Sequence, residues 1–232
     1  MNESPSFHRQ QPGQTVAASA TSEGLSASEL SAIAYLKQVY ALLGGSLLLA
    51  TAAGYVAMGS PLVQENLLLL IIAEVIVFFV ALAKRNSSTL FLFTGISGLT
   101  LGPVLDQYVH AGMPGIIGQA VFMTGAVFVG LTFHALTTRR DFSAMGGMLF
   151  AGLIVLLVGS LVNIFLQSTG LAFAVSAAGT LIFSGYILWE TQQLKNHPWE
   201  VPPAAAALSL YLNVLNLFLS LLRLLGILSS DD

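Results

Sequence analysis

The sequence predicts an all-α integral membrane protein with seven transmembrane helices, and three observations predict it. Of 232 residues, 55% are hydrophobic and only 8% are charged, whereas a soluble domain carries roughly 25% charged residues to wet its surface. The mean hydropathy is +0.81. The apolar residues gather into seven runs, at roughly 38–58, 66–83, 89–109, 116–136, 145–166, 171–189 and 204–228. These lengths suit the ~20 residues a helix needs to cross hydrocarbon. None alternates with period two, which excludes the ~10-residue alternating strands of a membrane barrel. Eight basic residues against eleven acidic ones exclude a basic nucleic-acid binder. With no cysteine there is no disulfide, thiol catalysis or Cys-ligated metal.

Residues 1–32 are rich in Ser, Ala, Gln, Thr and Gly and hold no apolar run. They read as a disordered cytoplasmic tail rather than a signal peptide, followed by a membrane domain over 33–232. Ser26 or Ser28 with Glu29 forms a capping signal for a short helix at 29–37 that leads into span 1. The spans contain Gly44, Gly45, Gly98, Gly125, Gly130, Gly152, Gly159 and Gly185. In a soluble helix each would cost about 1 kcal/mol against Ala, but in lipid small residues let helices approach closely. Span 2 is short. Span 3 holds Gly98, Gly102 and Pro103 and is predicted to kink. Pro198, Pro202 and Pro203 force a turn over 195–203, with Trp199 placed for the headgroup level. There is no internal repeat, so the inverted-repeat transporter plan is not supported.

Charge alternates between the connections. Lys37 precedes span 1, Lys84 and Arg85 separate spans 2 and 3, Arg139 and Arg140 separate 4 and 5, and Lys195 separates 6 and 7. The loops 59–65, 110–115 and 167–170 contain no Lys or Arg. The positive-inside rule then puts the N-terminus in the cytoplasm and, after an odd number of spans, the C-terminus outside.

Ionisable groups inside a bilayer cost at least about 2.5–3.5 kcal/mol each, so chemistry is sought there first. Glu74 sits mid-span in span 2, about 12 Å below the outer edge, and Arg223 in span 7 lies roughly 7–8 Å below it. Their side chains can close that difference, as an outer gate or proton site or as a neutralised pair that lets both helices pack. Arg85 and Glu190 end spans 2 and 6 at the inner rim. They form either an Arg–carboxylate latch that opens on protonation or an interfacial Glu beside a snorkelling Arg. His134 reads as a hydrogen-bonded core residue. No G-x-S-x-G, H-E-x-x-H or Walker run is present, and no Asp lies mid-span, so the chain reads as non-enzymatic, with no catalytic residue, cofactor or bound metal.

The stretches SGLTLGPVLDQY (97–108), GTLIFSGYILWETQQL (179–194) and LSLYLNVLNLFLSLLRLLGIL (208–228) resemble the Bax inhibitor family, the transmembrane Bax-inhibitor-motif proteins. The resemblance spans about residues 33–232. LGPVLDQYVHAGM, the stretch LTTRRDFSAMGGMLFAGLIVLLVGSLVNIFLQ and the Glu in ILWET look closest to its bacterial YccA branch, known as inner-membrane modulators of the membrane AAA protease FtsH. It implies that the seventh span stands at the centre of the other six. It also implies, for some relatives, a pH-sensitive calcium leak in which two Asp residues share a proton and latch to an Arg. In this sequence the dyad positions fall on Glu190 and Asn213, and the latch on Arg85. Two close carboxylates repel and raise one pKa. An Asn cannot do that, and it supplies one charge fewer to a hard cation that wants several oxygen ligands.

Two functions are therefore expected. The first is an inner-membrane protein that binds and restrains FtsH, with the N-terminal tail as a handle for the protease. The alternative is a pH-sensitive calcium or cation leak, weakened by Asn213, in which calcium is only the permeant ion. The partners are the lipid bilayer and, by resemblance, FtsH.

Overall fold

The computed structural model describes residues 26–230, and among these it contains helices and no strand. In chain order they are α1 (Ala27–Ala57), α2 (Pro61–Glu65), α3 (Leu67–Lys84), α4 (Ser87–His110), α5 (Pro114–Thr137), α6 (Met145–Leu166), α7 (Thr169–Asn196) and α8 (Pro203–Ser230). All but α2 are long and apolar enough to cross a membrane, which gives seven spans. The tail expected over residues 1–32 lies outside the described residues as far as residue 25.

Residues 27–32, grouped with that tail by composition, are helical. Ser26 is the cap. Its Oγ accepts from the Glu29 N–H at 3.2 Å, and the Glu29 carboxylate accepts from the Ser26 N–H at 2.8 Å. This reciprocal box satisfies two otherwise orphaned donors at the helix start. No proline follows until Pro61, so the expected short helix and span 1 are one rod of 31 residues. The second difference is α2. Ser60–Pro61 starts it, since proline's fixed φ suits a first helical position. Gln64 then donates to Asp106 on α4 at 3.0 Å and holds the short helix down. The α4 helix continues through Pro103 without interruption.

Small residues set the closest packing. A Cβ on Gly98 would lie 2.3 Å from the Ala50 carbonyl oxygen, and one on Gly102 would lie 2.5 Å from the Ala57 Cβ. The two glycines are four apart and share one face of α4, so α1 and α4 meet backbone to backbone. Further along, Gly226 on α8 accommodates the Tyr108 ring of α4, and Gly179 on α7 accommodates Ser220 of α8.

The most buried span is α8, and the least buried are α3 and α6. α8 packs chiefly against α7, α1 and α5, and less closely against α4. α3 packs on α4 and α6 on α7, each turning a broad apolar face outward, with Leu68, Leu69 and Phe79 exposed on one and Val155 and Phe165 on the other. Two apolar clusters follow one another along α8. The first joins Tyr35, Val39, Leu194, Leu210 and Tyr211, and the second joins Leu105, Ile116, Ile187, Leu217 and Leu221. The 197–202 turn closes over the first. Trp199 takes a positive φ of 79°, its ring lies 4.8 Å from that of Tyr35, and the Tyr35 hydroxyl donates to the Val201 carbonyl at 2.9 Å.

Candidate functional site

Asn213 lies on α8 between the two clusters and is buried. Its Nδ2 donates to the Glu190 Oε2 on α7 at 2.6 Å, a charge-assisted distance if the carboxylate is ionised. Ser209, one helical turn before Asn213, presents its hydroxyl to the same carboxylate. Glu190 is half-buried. The two positions that the family resemblance pairs are thus in direct contact, as an acid and an amide.

The residues after Glu190 continue the polar track. The buried Thr191 accepts from the Tyr40 hydroxyl of α1 at 3.3 Å. Gln192, 2% exposed, accepts from the Phe142 N–H at 2.6 Å, and its amide nitrogen donates to the Arg140 carbonyl. Gln193 donates to Ser143 Oγ and Lys195 to the Thr138 carbonyl, each at 3.3 Å. One stretch, 190–195, therefore ties α7 to α8, to α1 and to the basic α5–α6 loop. That loop also has a turn of its own. Asp141 Oδ1 accepts from the Ser143 hydroxyl at 2.6 Å and from its N–H at 2.8 Å. These bonds hold the exposed Asp141 carboxyl below its ordinary range. Sequence reasoning passed over Gln192 and Gln193. Their signal was a polar run, ETQQLK, closing an otherwise apolar helix.

The expected ion pairs are not formed. Arg85 caps α3 in the left-handed region with φ 49°, is exposed, and turns its Nε onto the Leu82 carbonyl of its own helix at 3.3 Å. The reason is placement, since α3 packs on α4 and not on α7, where Glu190 stands. Glu74 accepts instead from the Thr100 hydroxyl of α4 at 2.7 Å. Arg223 is exposed on the wall of a cavity between α4, α6, α7 and α8. Among the described residues the ion pairs within 4.0 Å are His110–Asp106 and His197–Glu200, both within one local stretch of chain. His134, expected in the core, is exposed and lies against the Phe142 ring.

A seven-span helical bundle with an acid–amide contact between its last two helices defines the class: a multi-pass integral membrane protein with a polar site buried in its core. The sequence over residues 33–230 matches the family model "Inhibitor of apoptosis-promoting Bax1". The chain is 42% identical over 207 residues to an uncharacterized membrane protein of Vibrio cholerae, covering 85% of this chain and 91% of that one. It is 39% identical over 212 residues to the modulator of FtsH protease YccA of Escherichia coli K12, covering 88% and 94%. It is 34% identical over 213 residues to Bax inhibitor 1 of Schizosaccharomyces pombe, covering 86% and 79%. The chain belongs to the Bax inhibitor family.

Proposed function

We propose that this protein is a non-catalytic component of the bacterial inner membrane that binds the FtsH protease and restrains its attack on other membrane proteins. Identity over most of both chains with a protein named for that role supports the partner. The observation that carries the choice over a leak is the Glu190–Asn213 contact. An amide stands where two repelling carboxylates would be needed to share a proton, so the site offers a hydrogen bond between helices rather than a two-acid cation seat. The α1–α4 seam, with no room for a methyl group, favours a bundle that resists extraction and occupies the protease while being degraded slowly.

The test is affinity capture of the full chain from detergent-solubilised inner membranes, with turnover of an FtsH membrane substrate followed in cells that overproduce the protein. Capture of FtsH with slowed turnover is expected. No capture and unchanged turnover would remove the reading. Deleting residues 2–25 tests the handle: the protein's own degradation by FtsH should slow, and unchanged degradation would remove that part alone.

The leak is the second reading, favoured by a half-buried Glu190 between two spans. In calcium-loaded liposomes it requires flux that Glu190→Gln abolishes and Asn213→Asp strengthens.

A further inference from the structure

The spans enclose a second polar place, away from Glu190 and independent of the protease reading. A cavity of about 590 Å³ lies between α4, α6, α7 and α8. It reaches from the α4–α5 turn at Ala111 and Met113 down to Leu153 of α6. By position along their helices, Arg223, Gln107 and Tyr108 form its upper wall, and Leu153, Leu157 and Phe183 its lower wall. Among the described residues no Asp or Glu lines it. The nearby carboxylates are engaged elsewhere, Asp106 by Gln64 and His110 and Glu74 by Thr100. The Arg223 guanidinium has no acidic group within 4.0 Å among the described residues. The cavity opens sideways, because α6 packs on α7 and has no substantial contact with α4 or α8. Leu157 is 63% exposed at that opening.

A cation unpaired in a span is among the costliest groups a membrane protein carries, and such groups mark sites. Arg223 sits seven residues, about 10 Å, from the end of α8. A long guanidinium side chain at that depth reaches toward the headgroup level. The apolar arm below it continues into the hydrocarbon through the opening between α4 and α6. We propose that this cavity is a site for one phospholipid, with its phosphate on Arg223, supported by Gln107 and Tyr108, and an acyl chain lying against Leu153, Leu157 and Phe183. A planar guanidinium meets a phosphate with two parallel N–H···O bonds, which a passing lipid at a smooth helix face does not receive.

Native mass spectrometry of the full chain in detergent, titrated with phosphatidylglycerol, tests the site. Two further arms use diacylglycerol with the same chains, which lacks the phosphate, and glycerol 3-phosphate, which lacks the chains. One phosphatidylglycerol should remain bound, at least tenfold tighter than either fragment. Arg223→Gln should weaken it at least tenfold, and Arg223→Lys less. Leu157→Trp, on an exposed face where folding is little affected, should also weaken it by filling the arm. Lys84→Gln at the opposite end of the bundle should change nothing. Equal binding of diacylglycerol, or binding unchanged in both Arg223→Gln and Leu157→Trp, would overturn the proposal. Glycerol 3-phosphate binding as tightly as the lipid would overturn it in favour of a soluble anion.

Discussion

Gln192 shows how much one amide can carry when both its ends are used. It accepts from one backbone group of the α5–α6 loop and donates to another, and it is itself buried. Replacing it with Ala leaves the Phe142 N–H and the Arg140 carbonyl without that partner. Arg140 is exposed and Phe142 half-buried, so water can reach both groups and the loss is that of the hydrogen bonds themselves, about 0.5–1.5 kcal/mol each. The expected result for Gln192→Ala is a lower unfolding temperature in detergent and faster amide exchange over 139–143, with the helical content retained. Unchanged exchange would show that Lys195 and Gln193 hold the loop without it. Asp141 adds a pH dependence of definite sign. Its folded carboxyl titrates below the ordinary 3.8 because Ser143 bonds favour the charged form. Its support for the turn is therefore full above the unfolded value and is lost as pH falls through the lower folded one. Ser143→Ala should raise the pH at which Asp141 takes up its proton, measured by NMR, and should open the loop at a correspondingly higher pH. Sequence marked Glu190 as an acid closing an apolar helix, whereas Asn213 was set beside it only by the family resemblance. Sequence also mispaired Glu74 with Arg223 and Arg85 with Glu190. Counting residues gives depth along a helix at 1.5 Å each, but it does not give the direction in which a helix turns its side chain around the bundle.

Between helices, the glycines separate into two kinds that composition does not distinguish. Gly98 and Gly102 sit where any side chain would strike the backbone or Cβ of α1, while Gly118, Gly125 and Gly130 face open space on α5. Gly98→Ala must push α1 and α4 apart, and overpacking of this kind costs about 1–3 kcal/mol. Gly118→Ala meets nothing and should gain from Ala's better helix propensity, by roughly 0.5–1 kcal/mol. Steric-trap unfolding in bicelles would measure both. Equal effects would mean that the seam can slide. Element ends were legible where chemistry punctuates them: the Ser26–Glu29 box, the prolines of the 197–202 turn, the polar connections. The short α2 was not, because a five-residue helix has too few positions to show a period.

For the molecule as a whole, the basic connections share one end of the bundle. The Lys84–Arg85, Arg139–Arg140 and Lys195 junctions all fall after an even number of spans, and the Lys195 bond to Thr138 joins two of them directly. With that end in the cytoplasm, an alkaline phosphatase fused after Ser230 should be active outside the cytoplasmic membrane and one inserted at 139–140 should not. The reverse pattern would invert every assignment of inner and outer face. Fold class was legible because the bilayer selects length and composition so strongly. The arrangement of the spans was not, because lipid-facing and helix-facing positions are both apolar. A partial signal was there and went unread: the two least buried spans, α3 and α6, are also the most apolar, while the most buried, α8, is less so.

The unbroken first helix carries a mechanical consequence. Residues 27–34 precede Tyr35, the point at which α1 meets the 197–202 turn, and Leu30 and Ile33 along them are exposed. At 1.5 Å per residue this is a stiff spacer of about 12 Å. Whatever pulls on the chain upstream of Ser26 does not tug at the bundle through slack string. It levers a rod whose fulcrum is Tyr35 wedged against Trp199, so force delivered there is spent first on that aromatic hinge.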